Sequence, residues 1–188
     1  MYRIAVTSRA LCEGSFLERV RELAEGTTYQ AILLREKDLR EGQYEALAEQ
    51  VLEITKKYKK KCILHSFFGA AEKLEHPSLH LPLPVWEQMT VEKRKKLRHH
   101  FQELGTSVHS GEQLQRAVSF GADYVIAGHI FVTDCKKGKE PRGLSFLRDI
   151  CDKSPVPVYG IGGITKEREE SVIRQGAAGV CIMSGCMK

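Results

Sequence analysis

A chain of 188 residues fits one domain of ordinary size, and 42% hydrophobic residues allow it a buried core. No apolar run approaches the roughly 18 residues of a membrane span and no signal peptide precedes the first strand-like run, so a soluble, cytoplasmic protein is expected. The net charge of +5, from 29 Lys and Arg against 24 Asp and Glu, is spread along the chain rather than interleaved with aromatics, which argues against nucleic-acid binding.

In chain order, short apolar runs rich in Val and Ile alternate with helical patterns. The first run, RIAVT (3–7), is followed by an amphipathic stretch over Ser15–Glu25, with Gly26 as its expected left-handed C-cap. YQAILLR (29–35) leads to a helix over Gln43–Tyr58 that ends in KKYKKK (56–61). There lysines favour the negative end of the helix dipole, so a solvated helix end is expected. KCILH (61–65) and SLHL (78–81) follow. The stretch 66–90 is the weakest, since FFGAAEKLEHP allows one short helix and PLPVW almost none.

Thr90 is an N-cap candidate for the charged helix VEKRKKLRHHFQEL (91–104). After TSVH (106–109), Ser110 with Gln113 three residues on forms a capping-box pattern. DYVIAG (123–128), a helix over Leu144–Cys151, VPVYGI (156–161), a helix opened by Thr165, and GVCIM (179–183) complete the series. Gly121 and Gly176 stand where further left-handed C-caps are expected. Eight buried-type strands with helices between them predict an α/β fold, a single-domain (β/α)8 TIM barrel of minimal size over 1–188. A doubly wound open sheet is the competing architecture.

The six cysteines have no CxxC pair and no disulfide-like spacing, which suits a reducing compartment; Cys62 and Cys181 fall in strand runs as small hydrophobes.

The last two runs lead into GIGGIT (160–165) and MSG (183–185). In TIM barrels the loops after strands seven and eight often bind phosphate through backbone N–H groups. Gly162 and Gly163 would form one wall of such a cup, where a Cβ would obstruct the anion, and Ser184 and Gly185 the other. A phosphorylated small-molecule ligand is expected.

His65, His80, His109 and His129 lie at or near strand C-termini, but no Asp or Glu joins them after strands three, four or five, so no metal site is assigned. His99 and His100 on a polar helix should face solvent. His129, at the end of strand six in AGHIFVTDCKKG (127–138), suits removal and return of a proton. Packing at a strand end is the alternative reading for it. Cys135 has no identified base and reads as unreactive. Lys136 and Lys137 are either solvated or counter-ions for an acidic substrate.

LREKDL (34–39), TSVHS (106–110), GADYVIAGHIF (121–131), TDCKKG (133–138) and YGIGGIT (159–165) resemble the thiamine phosphate synthase and TenI superfamily along nearly the whole chain. That resemblance implies a (β/α)8 barrel. Its synthase branch has an Asn-Asp pair after strand three and an aspartate after strand four, which hold Mg²⁺, and reads GPxFPTxTK after strand six. Here those places read His65-Ser66, LPLPVW and GHIFVTDCK.

The departures are similar to the TenI-type thiazole tautomerase branch, including Arg142-Gly143. The likeness implies aromatisation of an exocyclic 2-carboxy-4-methylthiazole phosphate, with no cofactor and with His129 as the catalytic base. It further implies phosphate on Gly162, Gly163, Ser184 and Gly185, with Ser107 and His109 lining the pocket. Arg35, Lys37 or Lys136 would meet the substrate's carboxylate or phosphate. A synthase-like enzyme and a non-catalytic regulator that binds a thiazole or thiamine phosphate are the alternatives. No helix-turn-helix suggests DNA contact, and the chain leaves a homo-oligomer open.

Overall fold

The computed structural model describes residues 1–188 and closes eight parallel strands into a barrel in sequence order. The strands are β1 (Tyr2–Val6), β2 (Ala31–Leu34), β3 (Lys61–His65), β4 (Ser78–His80), β5 (Glu103–Val108), β6 (Tyr124–Gly128), β7 (Val158–Ile161) and β8 (Gly179–Ile182). The helices are α1 (Phe16–Glu25), α2 (Glu41–Lys57), α3 (Phe68–Lys73), α4 (Leu83–Glu87), α5 (Val91–His100), α6 (Gly111–Ser119), α7 (Gly143–Lys153), α8 (Lys166–Ile173) and α9 (Ser184–Met187). Pairing of β1 with β8, Tyr2 opposite Gly179, completes the ring. No helix is long and apolar enough to cross a membrane.

Successive side chains on a strand face opposite ways, so each apolar run feeds two cores. Inward, Ile4, Val6, Leu33, Ile63, Ile126 and Cys181 fill the barrel. Outward, Ala5, Ile32, Leu34, Cys62, Leu64 and Val180 pack beneath the helices with Val20, Val51 and Leu147. This double burial explains why the strands read as continuous apolar runs. Cys62 and Cys181 are both buried and unpaired, one in each core. At the N-terminal face the guanidinium of Arg3 grips the Glu169 carboxylate through two nitrogens, at 2.7 and 2.9 Å, and ties β1 to α8.

Several expectations change in detail. The helix opened by Thr90, whose hydroxyl accepts from the Lys93 N–H, stops at His100 rather than at 104. Glu103 and Leu104 belong to β5, and the Glu103 carboxylate accepts from Ser78 Oγ on the adjacent β4 and from Lys61 Nζ on β3, one strand further round. Gly26 has φ −66° and is not left-handed, unlike Gly121 and Gly176. Its carbonyl is held by Lys60 Nζ at 2.8 Å, which also binds the Tyr29 carbonyl. The lysine run is therefore a solvated helix end only through Lys57; Lys60 staples the α1–β2 turn and Lys61 opens β3. PLPVW does form a short helix, α4, with Pro84 in its first turn, where a missing N–H costs nothing.

Candidate active site

The C-terminal ends of the strands surround a cavity of about 330 Å³, and every side of the barrel contributes to its wall. Of the predicted site residues, Arg35, Lys37, Ser107, His109, His129, Lys136, Gly162, Gly163 and Ser184 all line it; Gly185 does not, because α9 starts at Ser184 and carries the chain back into the core at Cys186. His99 and His100 are exposed on α5, away from it.

His129 follows β6 directly and is held against the β7 loop through its backbone. Ile130 N–H donates to the Ile161 carbonyl and Phe131 N–H to that of Gly162, both at 2.9 Å, while the His129 carbonyl accepts from Arg142 N–H at 2.9 Å. A Cβ on Gly162 would stand 2.4 Å from the His129 Cβ, and one on Gly163 would stand 2.3 Å from the Val132 carbonyl oxygen. The two glycines are thus required first by the close approach of the His129 loop, a reason the sequence reading did not contain. They still present N–H groups: those of Gly162, Gly163 and Ser184 donate to no protein acceptor and border the cavity.

The imidazole of His129 is largely buried, with Nε2 3.3 Å from the Lys139 carbonyl. A ring nitrogen facing a carbonyl must carry the proton, which leaves Nδ1 as the basic nitrogen. His109 mirrors this. Its Nδ1 donates to the Gly128 carbonyl at 2.5 Å and its backbone N–H to Gln113 Oε1 at 2.7 Å. Gln113 therefore completes the capping pattern one residue early, at His109 rather than Ser110, while Ser110 Oγ accepts from Gln113 N–H. Desolvation lowers the His109 pKa, with the Gly128 carbonyl opposing and Arg142, Lys136 and His129 adding to the shift.

His65 and His80 form the floor on the β3–β4 side, their rings stacked 5.3 Å apart. Burial pushes both pKa values down, His80 to about 3, helped by Lys37 and Arg35. Both are neutral at pH 7. Sequence reasoning saw these two at strand ends but had no signal for their stacking, nor for the wall made by Pro82, Leu83 and Pro84.

Arg35 and Lys37 flank the β2 end and Lys136 comes from the loop after β6, so three cations ring the mouth. Partial desolvation and the two neighbouring cations lower the Lys37 pKa. Glu36 between them points the other way, buried, accepting from Thr7 Oγ1 at 2.6 Å and Arg9 N–H at 2.9 Å. Cys135 is exposed at the rim. No Asp or Glu lines the cavity. A Mg²⁺ ion is held mainly by carboxylate and substrate oxygens, and no three His, Cys, Asp or Glu side chains converge in the molecule. The residues present do not fit that ion.

The family model described as "Thiamine monophosphate synthase" matches residues 3–186. Relatives whose names contain the words thiamine-phosphate synthase include one from Aquifex aeolicus (strain VF5), 32% identical over 180 residues, covering 96% of this chain and 94% of the relative. Another, from Clostridium novyi (strain NT), is 30% identical over 185 residues and covers 97% and 89%. Among solved structures, a thiamine phosphate pyrophosphorylase from Pyrococcus furiosus superposes with a TM-score of 0.84 at 28% identity, covering 100% of this chain and 88% of that one.

Proposed function

This chain belongs to the thiamine monophosphate synthase family, whose members are enzymes of thiamine biosynthesis, and from that premise we propose that it is a thiazole tautomerase. The observation that carries the reading is the composition of the cavity wall: imidazoles, three cations and free backbone N–H groups, with no carboxylate to hold the metal that departure of a diphosphate requires. The reaction is an isomerisation. One proton leaves the ring carbon that bears the carboxylate, the electron pair moves through the ring into the exocyclic double bond, and the exocyclic carbon takes up a proton. Nothing is oxidised or reduced overall.

His129 removes and returns that proton through Nδ1, the nitrogen its Lys139 contact leaves free. The N–H groups of Gly162, Gly163 and Ser184 receive the phosphate, and the cationic rim of Arg35, Lys37 and Lys136 keeps the substrate's carboxylate and phosphate charges and the developing negative charge favourable.

The test is turnover of the exocyclic thiazole carboxylate phosphate, followed by ultraviolet absorbance with EDTA present. Wild type should convert it rapidly, and His129→Ala should lose at least about 10²-fold, the scale of a lost general base. A second reading, favoured by the names of the relatives, is Mg²⁺-dependent coupling of a pyrimidine diphosphate with a thiazole phosphate. Coupling by the same preparation, without isomerisation, would select it. Ligand binding with neither reaction would point to a sensor.

A further inference from the structure

Three side chains with no part in the proton transfer form a hydrogen-bonded line from the barrel interior to the cavity wall. Tyr124 lies on β6 and is buried, and its ring occupies the space that a side chain on β5 would take. A Cβ on Gly105 would fall 2.0 Å from the Tyr124 Cζ. The phenol oxygen lies 3.1 Å from His80 Nδ1, and His80 Nε2 lies 3.0 Å from Ser107 Oγ. His80 is 1% exposed, whereas Ser107 is half-buried and lines the cavity.

The direction of the hydrogens follows from what each end can reach. The Tyr124 hydroxyl has no other acceptor in the fold. If it accepted from Nδ1–H, its own proton would be buried without a partner, the costlier arrangement. It therefore donates to Nδ1. A neutral imidazole then carries its single proton on Nε2 and donates to Ser107 Oγ. With that lone pair engaged and no protein acceptor within reach of its own proton, the Ser107 hydroxyl must donate into the cavity. Burial and the nearby cations keep His80 neutral, so the line does not reverse by gaining a proton.

We propose that Tyr124 and His80 are positioning residues that fix Ser107 as a hydrogen-bond donor to the substrate's carboxylate. Ser107 stands on β5, whereas the N–H groups offered to phosphate follow β7 and β8. The ligand's two anionic ends would then be read by different walls. The choice of ligand rests on the tautomerase reading; the direction of the line does not.

The first measurement is the tautomer of His80 by long-range ¹H–¹⁵N correlation on labelled protein, assigned by loss of its signals in His80→Gln. Protonation at Nε2 is expected, and protonation at Nδ1 would overturn the proposal. The second is calorimetric binding of the aromatic thiazole carboxylate phosphate and of the thiazole phosphate without the carboxylate. Ser107→Ala should weaken the first about tenfold, the scale of a hydrogen bond to a charged group, and the second less than about twofold. Tyr124→Phe should weaken the first about fivefold, and the double variant should be no worse than Ser107→Ala, as coupled residues behave. Equal losses for both ligands, or multiplied losses in the double variant, would overturn it. If wild type isomerises no thiazole, the function reading fails while the tautomer measurement still decides this one.

Discussion

At Gly162 the backbone has φ +105°, and the space beside it is already filled by the Cα and Cβ of His129. An alanine there must either push the His129 loop outward or distort the turn. Overpacking of this kind costs about 1–3 kcal/mol, and the left-handed backbone adds about 1 kcal/mol more. Because a displacement near 1 Å at a reacting group can cost about 10²-fold in rate, Gly162→Ala should lose activity far beyond its loss of stability. Thiazole turnover compared with the urea midpoint checks this, and near-wild-type turnover would detach Gly162 from the placement of His129. The phosphate-cup expectation named Gly162 for an anion, whereas the fold itself requires the missing Cβ for the histidine behind it.

The β2–α2 junction shows what an element adds to its residues. Arg35 and Lys37 reach the cavity because Glu36 between them is anchored in the β1 loop. Thr7 Oγ1 accepts from Arg35 N–H at 2.9 Å and donates to Glu36, and the carboxylate also takes the Arg9 N–H. Glu36→Ala should cost about 2–3 kcal/mol, as lost hydrogen bonds to a buried charge do, and should raise KM by releasing both cations. An unchanged urea midpoint would show the network to be dispensable. None of this was legible in LREKDL, because the partners come from a loop 29 residues earlier. The strands were legible because burial on both faces leaves uninterrupted apolar runs. The start of β5 was not, since Glu103 and Leu104 continue a helical pattern and only pairing with Ser78 and Leu79 makes them strand. The ring of cavity residues was readable in part through strand ends; the inward pair His65 and His80 needed the closed barrel to bring their rings together.

For the whole molecule, neutral histidines in the barrel make stability depend on pH with a definite sign. The folded pKa values of His65 and His80 lie below the ordinary 6.5, that of His80 at about 3. The unfolded chain therefore binds more protons than the folded one once pH falls through 6.5, and the stability present above that value is lost progressively, for His80 down to about 3. Each group contributes at most about 1.4 kcal/mol per pH unit inside the window. Unfolding free energy should drop by about 1–3 kcal/mol between pH 6 and 5, and His80→Gln should flatten that slope; a pH-independent urea midpoint over this range would contradict the burial described. The closing pair of strands has a consequence for how the chain comes to be folded. β1 bonds to β8 with Tyr2 opposite Gly179, so during synthesis β1 waits for β8, with one edge bare until all the intervening strands and helices have emerged. Pairings this distant in sequence are slow to form and leave intermediates open to self-association. The seam between β1 and β8 is therefore where nascent protein stays vulnerable longest.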